Sequence, residues 1–201
     1  MREKETVVLK MSPKNKQKDK KEVKAVVLDY LPHGYEDDKR PIPQREPVII
    51  AVGTEQFKFF ELIAKPDRAI SPHDIVYIGD GERKDVERVK RRLSYDELTQ
   101  TAKKELKDAI EECVAANEQK YVAFYNTSRY FSLTKHMLHL LGYSTQKVTA
   151  FINEREKKPF ESLADIKARV KSSKTPEKRI SERIFLELTN PNEGHLLFTT
   201  K

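Results

Sequence analysis

The segment LLGYSTQKVTAFINEREKKPF, residues 140–160, decides the helical half of this chain. Apolar residues at helical spacing end at Gly142, and a second run with the same spacing starts after Ser144. A glycine just past a helix supplies the positive φ that reverses the chain, and a serine before a helix caps its first N–H groups. The segment therefore predicts two helices joined by a tight turn, with Tyr143 packed back onto the first helix.

The same turn predicts an anion site. The first N–H groups of a helix have no partner within the helix and lie at the positive end of its dipole, which suits a phosphate. Lys147, one turn into the second helix, adds a positive charge. We therefore predict phosphate contacts at Gly142, Tyr143, Ser144 and Lys147. The alternative is a turn with a purely structural role.

The longer stretch LLGYSTQKVTAFINEREKKPFESLADIKARV resembles the helix-hairpin-helix module of DNA-uptake and repair proteins. Gly142 and Tyr143 match the first two positions of its Gly-hydrophobic-Gly hairpin, whereas Ser144 replaces the second glycine and Leu141 the usual proline. The downstream matches are Arg155, Pro159, Phe160, Ser162, Leu163, Asp165 and Ile166. The resemblance implies contacts with a nucleic-acid backbone without sequence readout, although some hairpins of this kind contact proteins instead.

The preceding region has the pattern of a small β domain. Apolar, β-branched and aromatic runs occur in VKAVVLDYL, PVIIAVG and EQFKFFELIAK, and DIVYIGDGERKDVERVKRR predicts a hairpin around Gly79-Asp80-Gly81. Short strands separated by turns, with no helix among them, predict a small barrel. The segment PHGYEDDKRPIPQRE between the first two strands predicts an exposed loop.

At Ser94 the apolar residues change from the spacing of strands to that of a helix, and SYDE has the pattern of a capping box. The chain is thus predicted to be a multidomain α+β protein, an N-terminal OB-like β-barrel followed by an all-α helix-hairpin-helix domain. Its predicted segments are a basic flexible tail (1–22), the OB-like β domain (23–93), connecting helices (94–131) and the helix-hairpin-helix domain (132–201). Cys113 falls on the apolar stripe of the helix after Ser94, which predicts a buried thiol, and HLLFTT near the end predicts a short strand.

The composition favours an anionic partner. The 201 residues carry a formal net charge of +7, an excess that attracts polyanions, or alternatively gives a heavily charged surface. A single cysteine excludes an intrachain disulfide and zinc sites built from paired cysteines. The sequence shows neither a signal peptide nor a membrane-spanning apolar run, which predicts a soluble, cytoplasmic protein.

A second candidate contact is the basic segment ERKDVERVKRRLS. Its cations are Arg83, Lys84, Arg88, Lys90, Arg91 and Arg92. Strand alternation predicts Arg88, Lys90 and Arg92 on one face, and a basic, aromatic barrel face is typical of OB platforms for single strands. Tyr77 and Phe59 are the aromatic candidates. The alternative is a solvated charged edge that blocks strand aggregation.

The sequence contains no pattern of a catalytic site. It lacks a Walker loop, a dinucleotide fingerprint and a nucleophile elbow. His136 and His139 have a spacing that suits a shared metal, but no third ligand lies near them in sequence. The sequence therefore predicts a protein that is not an enzyme and needs no metal or cofactor.

A wider resemblance covers nearly the whole chain. The segments VVLDYLPHGYEDD, REPVIIAVG, FELIAKP, VYIGDGERKDVERVKRRLSYDELTQTAKKEL and the hairpin, in that order, resemble the archaeal domain-of-unknown-function family numbered 655. That family is described as predicted RNA- or nucleotide-binding proteins with an OB-like domain and a helix-hairpin-helix domain. The resemblance implies a nucleic-acid partner, with RNA favoured over DNA. A different hypothesis is a protein-interaction adaptor in a translation or repair assembly, and the oligomeric state stays open.

Overall fold

The computed structural model of the protein describes residues 21–126 and 131–200, and it confirms the predicted α+β class. Five antiparallel strands come first: β1 (Lys24–Leu31), β2 (Val48–Gly53), β3 (Phe59–Ala64), β4 (Ile75–Tyr77) and β5 (Val86–Leu93). The described helices follow: α1 (Gln100–Ala116), α2 (Glu118–Asn126), α3 (Phe131–Leu140), α4 (Thr145–Lys157), α5 (Leu163–Arg169) and α6 (Pro176–Thr189).

The sheet curls into a half-barrel with the strand order β4-β1-β2-β3-β5. Its two faces are both buried. One face has its own apolar cluster, with members from all five strands: Ala25, Val27, Ile49, Ala51, Phe60, Leu62, Ala64, Val76, Ile78 and Val86. The other face packs against the helices, and this explains why strands such as β2 read as continuous apolar runs rather than alternating ones.

The predicted hairpin between β4 and β5 is wrong. β4 pairs with β1 and β5 pairs with β3, so the two strands lie at opposite edges of the sheet. The Gly79–Gly81 segment nevertheless bends the chain, and the Gly81 N–H donates to the Tyr77 hydroxyl (3.2 Å). After this turn the chain crosses to the opposite edge of the sheet. Val76 of β4 and Val86 of β5 are buried in the same apolar cluster, although their strands lie at opposite edges. Packing of the curled sheet therefore overrides the local hairpin signal.

The helices continue the core of the sheet. α1 packs against β1 on one side and α6 on the other. One apolar cluster runs from Val26 through Ile110 to Ile184 and crosses the predicted boundary at residue 94. Cys113 lies in this cluster, as predicted, and burial raises the pKa of its thiol to about 12.

Hydroxyl side chains cap the starts of three helices, of which the cap at Ser144 is the predicted one. Ser144, Ser162 and Thr175 each accept an N–H bond at the start of α4, α5 and α6, respectively. Ser94 differs, because its capping box with Glu97 closes only a 3-10 turn over Tyr95–Glu97. The true N-cap of α1 is Thr99, whose hydroxyl accepts from the Ala102 N–H.

The C-terminal segment is not the strand that HLLFTT predicts. It is an extended piece held by Glu187 of α6, whose side chain is fully buried. The Glu187 carboxylate accepts the N–H groups of Leu197, Phe198 and Thr199, and it also pairs with Arg183 (2.8 Å). The segment thus gains its backbone hydrogen bonds from a side chain rather than from a neighbouring strand.

Most of the predicted basic tail, residues 1–22, lies outside the described residues. Glu22 does not belong to a tail, because its side chain is buried beside Gly53. Its carboxylate accepts the N–H groups of Glu55 (3.0 Å) and Gln56 (2.7 Å), which fixes the turn between β2 and β3. Burial raises the pKa of Glu22 despite these hydrogen bonds.

Candidate nucleic-acid interface

The turn between α3 and α4 has the predicted backbone geometry. Gly142 has φ of +76°, and its N–H donates to the His139 carbonyl (2.8 Å). The Tyr143 N–H donates to the Leu138 carbonyl (3.3 Å), which completes the end of α3. Both N–H groups are therefore already bonded, and neither is available to a phosphate as the sequence predicted.

Tyr143 is a core residue. Its ring packs edge-on against Phe151 of α4 (4.6 Å between centroids), and its hydroxyl lies 3.0 Å from that of Tyr125 in α2. These contacts join the turn to α2 and α4, and the Tyr143 N–H bond to Leu138 joins it to α3. The side chain of Tyr143 stabilises the turn from inside and is 3% exposed, so it cannot contact a ligand.

The open donors lie one to three residues further on, at the start of α4. The Ser144 hydroxyl accepts the Lys147 N–H (3.4 Å), as expected for an N-cap. The N–H groups of Ser144, Thr145 and Gln146 precede the first helical hydrogen bond, which runs from Val148 to the Ser144 carbonyl. With the partly exposed Lys147 side chain, they form the anion-accepting part of the turn.

Arg179, in the first turn of α6, joins a second helix start to this turn. Its Nη1 donates to the carbonyls of Leu141 (3.0 Å) and Gly142 (2.8 Å), and its guanidinium lies 4.3 Å from the centroid of the Tyr143 ring. Its Nη2 reaches the Ser172 hydroxyl (3.4 Å) in the turn between α5 and α6. One side chain of α6 therefore holds the turn before α4, a link that the sequence analysis missed.

Positive charge surrounds the two helix starts. Residues 141–149 and 170–181 contain five cationic side chains and one carboxylate, Glu177. Lys174 is paired with Glu182 (2.7 Å), and Arg179 is bonded to the turn. Within the described part of the chain, Lys147, Lys171 and Lys178 have no ion pair. We name this surface, with the N–H groups of residues 144–146, the paired helix starts.

The cations of β5 have a different environment. Glu61, 1% exposed in the centre of the sheet, binds Lys90 Nζ (2.6 Å) and Arg91 Nε (2.8 Å). Arg91 also pairs with Glu97, and Arg88 pairs with Glu46. Much of the predicted positive charge of this strand is thus compensated by carboxylates from elsewhere in the chain.

The predicted alternation of Arg88, Lys90 and Arg92 on one face is wrong. β5 has an extra residue at Lys90, between the pairs Glu61–Arg91 and Leu62–Val89, and another at Glu87. Such bulges shift the alternation of side chains. As a result, the neighbours Lys90 and Arg91 both reach Glu61, whereas Arg92 pairs with Phe60 across the strands.

The other predicted contacts of this region are dispersed. Arg92 lines a cleft of 450 Å³ that lies between the end of β5 and the C-terminal segment. Arg83 donates to the Gly79 carbonyl (2.9 Å), and Lys84 is exposed beside it. Of the aromatic candidates, Phe59 is buried in the core, and Tyr77 is partly exposed on the edge strand β4. No aromatic platform is therefore formed along β5 within residues 21–126 and 131–200.

Comparison with known proteins places the chain in a family. The model of the family described as "Protein of unknown function (DUF655)" matches residues 21–200. The chain belongs to this family. The uncharacterized protein MJ0038 of Methanocaldococcus jannaschii is 38% identical over 179 residues, which cover 89% of this chain and 79% of that protein.

A solved structure from the DUF655 family has the same fold. The crystal structure of Af1531 from Archaeoglobus fulgidus matches with a TM-score of 0.79 and 44% identity, covering 89% of this chain and all of Af1531. The likeness therefore extends over both the sheet and the helices of this DUF655 chain.

The histidines of α3 have separate neighbours. His139 Nδ1 lies 2.9 Å from the Tyr143 carbonyl oxygen, and the ring of His136 lies 5.2 Å from that of His195. Among the side chains that the structure describes, no three His, Cys, Asp or Glu residues are grouped as a metal site would require. None of the helices in those residues has the length and apolarity needed to cross a bilayer.

Proposed function

We propose that the protein binds nucleic acid without catalysing a reaction, and that it contacts mainly the phosphate backbone. In this proposal the curled sheet is an OB-like domain, and α3–α6 form a helix-hairpin-helix unit. RNA is favoured over DNA on the resemblance given in the sequence analysis, and not on any residue of the site. The observation that carries the proposal is the paired helix starts, where the open N–H groups of α4 and the unpaired Lys147 follow a turn that Arg179 of α6 holds.

The paired helix starts suit phosphate for two reasons. Unbonded N–H groups and the positive end of the α4 dipole favour an anion at this turn. Lys147 and Lys178 add mobile charges that neutralise phosphates whatever the base sequence. Gly142 and Tyr143 contribute by shaping the turn, while the N–H groups of residues 144–146 are the proposed donors.

The basic edge of the sheet is the proposed second contact. Arg88, Lys90 and Arg91 are each 37–48% exposed, so their outer N–H groups remain open to solvent although carboxylates hold them. We expect this edge to add less affinity than the paired helix starts, because each ion pair must be weakened before a phosphate can compete. The remaining candidates of this segment are Arg83, Lys84 and Arg92.

Fluorescence anisotropy with labelled RNA and DNA oligonucleotides tests the proposal. At about 50 mM salt the protein should bind both with little sequence preference, and the logarithm of the affinity should fall linearly with the logarithm of salt concentration. RNA should bind more tightly than DNA of the same sequence. If micromolar protein shows no binding at this salt concentration, the proposed function is wrong.

One observation favours the adaptor as a second candidate. The edge strand β4 exposes Ile75 (62%) and Tyr77 (37%), and Val23 next to them is 42% exposed. An apolar strand edge of this kind is a common place for another protein chain to pair. An adaptor would show binding that depends on these residues and is insensitive to the loss of Lys147.

A further inference from the structure

The C-terminal segment brings a histidine to helix α3. The centre of the His195 ring lies 5.2 Å from that of His136, and the two ring planes are inclined by 81°. The spacing in the sequence favours a different neighbour for His136, namely His139 on the same helix. In the structure His139 Nδ1 lies 2.9 Å from the Tyr143 carbonyl oxygen. The fold therefore forms a pair of histidines from two segments that are far apart in the sequence.

Both rings of this pair are open to solvent. His136 and His195 are exposed residues, and within residues 21–126 and 131–200 no hydrogen bond or ion pair engages the nitrogens of either ring. Rotation about the side-chain bonds can therefore direct one nitrogen of each ring to a common point. Neutral imidazole is the commonest metal ligand in proteins, and either ring nitrogen can bind the ion.

The separation of the two rings matches that of two imidazoles on one tetrahedral ion. A metal–nitrogen bond of about 2.1 Å places the ion about 3.2 Å from the centre of each ring. Two rings at the tetrahedral angle then have their centres about 5.2 Å apart, which is the distance observed. The pair can therefore bind one ion without a movement of α3 or of the C-terminal segment.

The backbone of His195 is fixed by side chains that leave an excess of negative charge. The His195 N–H donates to Glu193 Oε1 (3.1 Å), and its carbonyl accepts from Arg183. Arg183, which is 5% exposed, also pairs with the carboxylates of Glu187 and Glu193. Hydrogen bonds, first from the His195 N–H and then from Arg183, lower the pKa of Glu193. Two carboxylates against one guanidinium favour a cation beside His195.

We propose that His136 and His195 together bind one divalent transition-metal ion, which links α3 to the C-terminal segment. Imidazole suits Zn²⁺, Ni²⁺ and Cu²⁺, and Cu²⁺ is bound most tightly of the three, whereas Mg²⁺ and Ca²⁺ prefer oxygen ligands. Water fills the other positions of the ion, because the described side chains offer no group of three ligands. The ion is therefore exchangeable, and its binding is independent of the proposed binding of nucleic acid.

Calorimetric titration of the untagged full chain with the chlorides of Cu²⁺, Ni²⁺ and Zn²⁺ tests the site. The wild type should bind one Cu²⁺ per chain, more tightly than Ni²⁺ or Zn²⁺. His136→Ala and His195→Ala should each lower the affinity at least about tenfold, since even the loss of a residue that only orients a ligand costs this much. Cu²⁺ should also raise the Tm of the wild type, because only the folded chain brings the two rings together, and both variants should lose this rise.

The matched control is His139→Ala, which removes a histidine of the same helix and should bind Cu²⁺ as the wild type does. If His195→Ala binds as tightly as the wild type, the site is wrong, whether the ion is then held by His136 and His139 or is an adventitious ion only. An equal loss in His139→Ala and His195→Ala, or a wild type that binds no ion, would also overturn it. None of these outcomes bears on the binding of RNA or DNA, so the proposed function is tested separately.

Discussion

The strand β5 and the paired helix starts are both rich in cations, but their cations have different partners. On β5, carboxylates from three other segments, Glu46, Glu61 and Glu97, bind Arg88, Lys90 and Arg91. At the paired helix starts, Arg179 is bonded to backbone carbonyls, and no described carboxylate lies within ion-pair distance of Lys147 or Lys178.

This difference shows that a count of cations in a segment does not measure the charge that a ligand meets. A cation held by a buried carboxylate contributes to the fold, and a phosphate must compete with that carboxylate. An unpaired lysine near helix N–H groups is already arranged for an anion. We therefore expect variants in the two regions to separate stability from binding, as the following predictions test in order of decreasing effect.

The largest effect is expected for Gly142→Val, which should lower the free energy of unfolding by about 2–3 kcal/mol. Valine is strained at a φ of +76°, and a Cβ at this position would lie 3.1 Å from Arg179 Nη1. Chemical denaturation measures the loss. Gly142→Asn is the control, because asparagine tolerates positive φ better, and an equal loss for both variants would point to the Cβ contact rather than to φ.

Glu61→Gln tests the cations of β5, and it should lower the stability of the fold while raising RNA affinity. Loss of the buried carboxylate should destabilise the protein by about 1–2 kcal/mol, since two charge-assisted hydrogen bonds are weakened. The same change frees Lys90 and leaves Arg91 paired with Glu97 alone, so RNA affinity at low salt should rise. Denaturation and anisotropy measure the two effects. A fall in affinity of the folded variant would mean that Glu61 orients these cations for binding rather than compensating them.

Lys147→Gln should weaken binding and leave the fold intact. Loss of one phosphate contact lowers the slope of log affinity against log salt by about 1, while a surface change of this kind shifts stability by no more than about 0.5 kcal/mol. Lys90→Gln is the matched control and should change the slope by less. If the two variants have the same slope, the distinction between β5 and the paired helix starts is lost.

The smallest effect concerns His73, a paired cation whose charge depends on pH. Its ring lies between Glu105 (3.0 Å) and Glu112 (3.1 Å) of α1. Hydrogen bonding, first to Glu105 and then to Glu112, raises the pKa of His73. The stability that His73 contributes to the fold is therefore complete below the usual histidine pKa of about 6.5. It is lost as pH rises through the higher pKa of His73 in the folded protein.

This contribution should be no more than about 1 kcal/mol, because the three side chains are partly exposed. Thermal unfolding between about pH 5 and pH 8 measures it. His73→Gln should flatten the profile over this range. A wild-type profile that rises with pH here would contradict the assigned role of His73, while RNA binding at constant salt should be the same in both proteins.

Much of the helical half is determined by the sequence itself. Ser144 caps α4 as predicted, Ser162 and Thr175 cap α5 and α6 in the same way, and Gly142 adopts the positive φ that its position requires. These features depend on hydrogen bonds and dihedral angles within about four residues, so the residues that decide them are neighbours in the sequence. The burial of Cys113 follows in the same way from the apolar period of one helix.

The tertiary structure decided what happens between distant segments. The Gly79–Gly81 turn does not make a hairpin, because β4 and β5 join opposite edges of a curled sheet. Two extra residues in β5 redirect its cations towards Glu61, and Arg179 brings the start of α6 to the turn before α4. Each outcome depends on a pair of residues that are far apart in the chain. Local propensity does not specify such pairs, whereas the packing of one continuous core does.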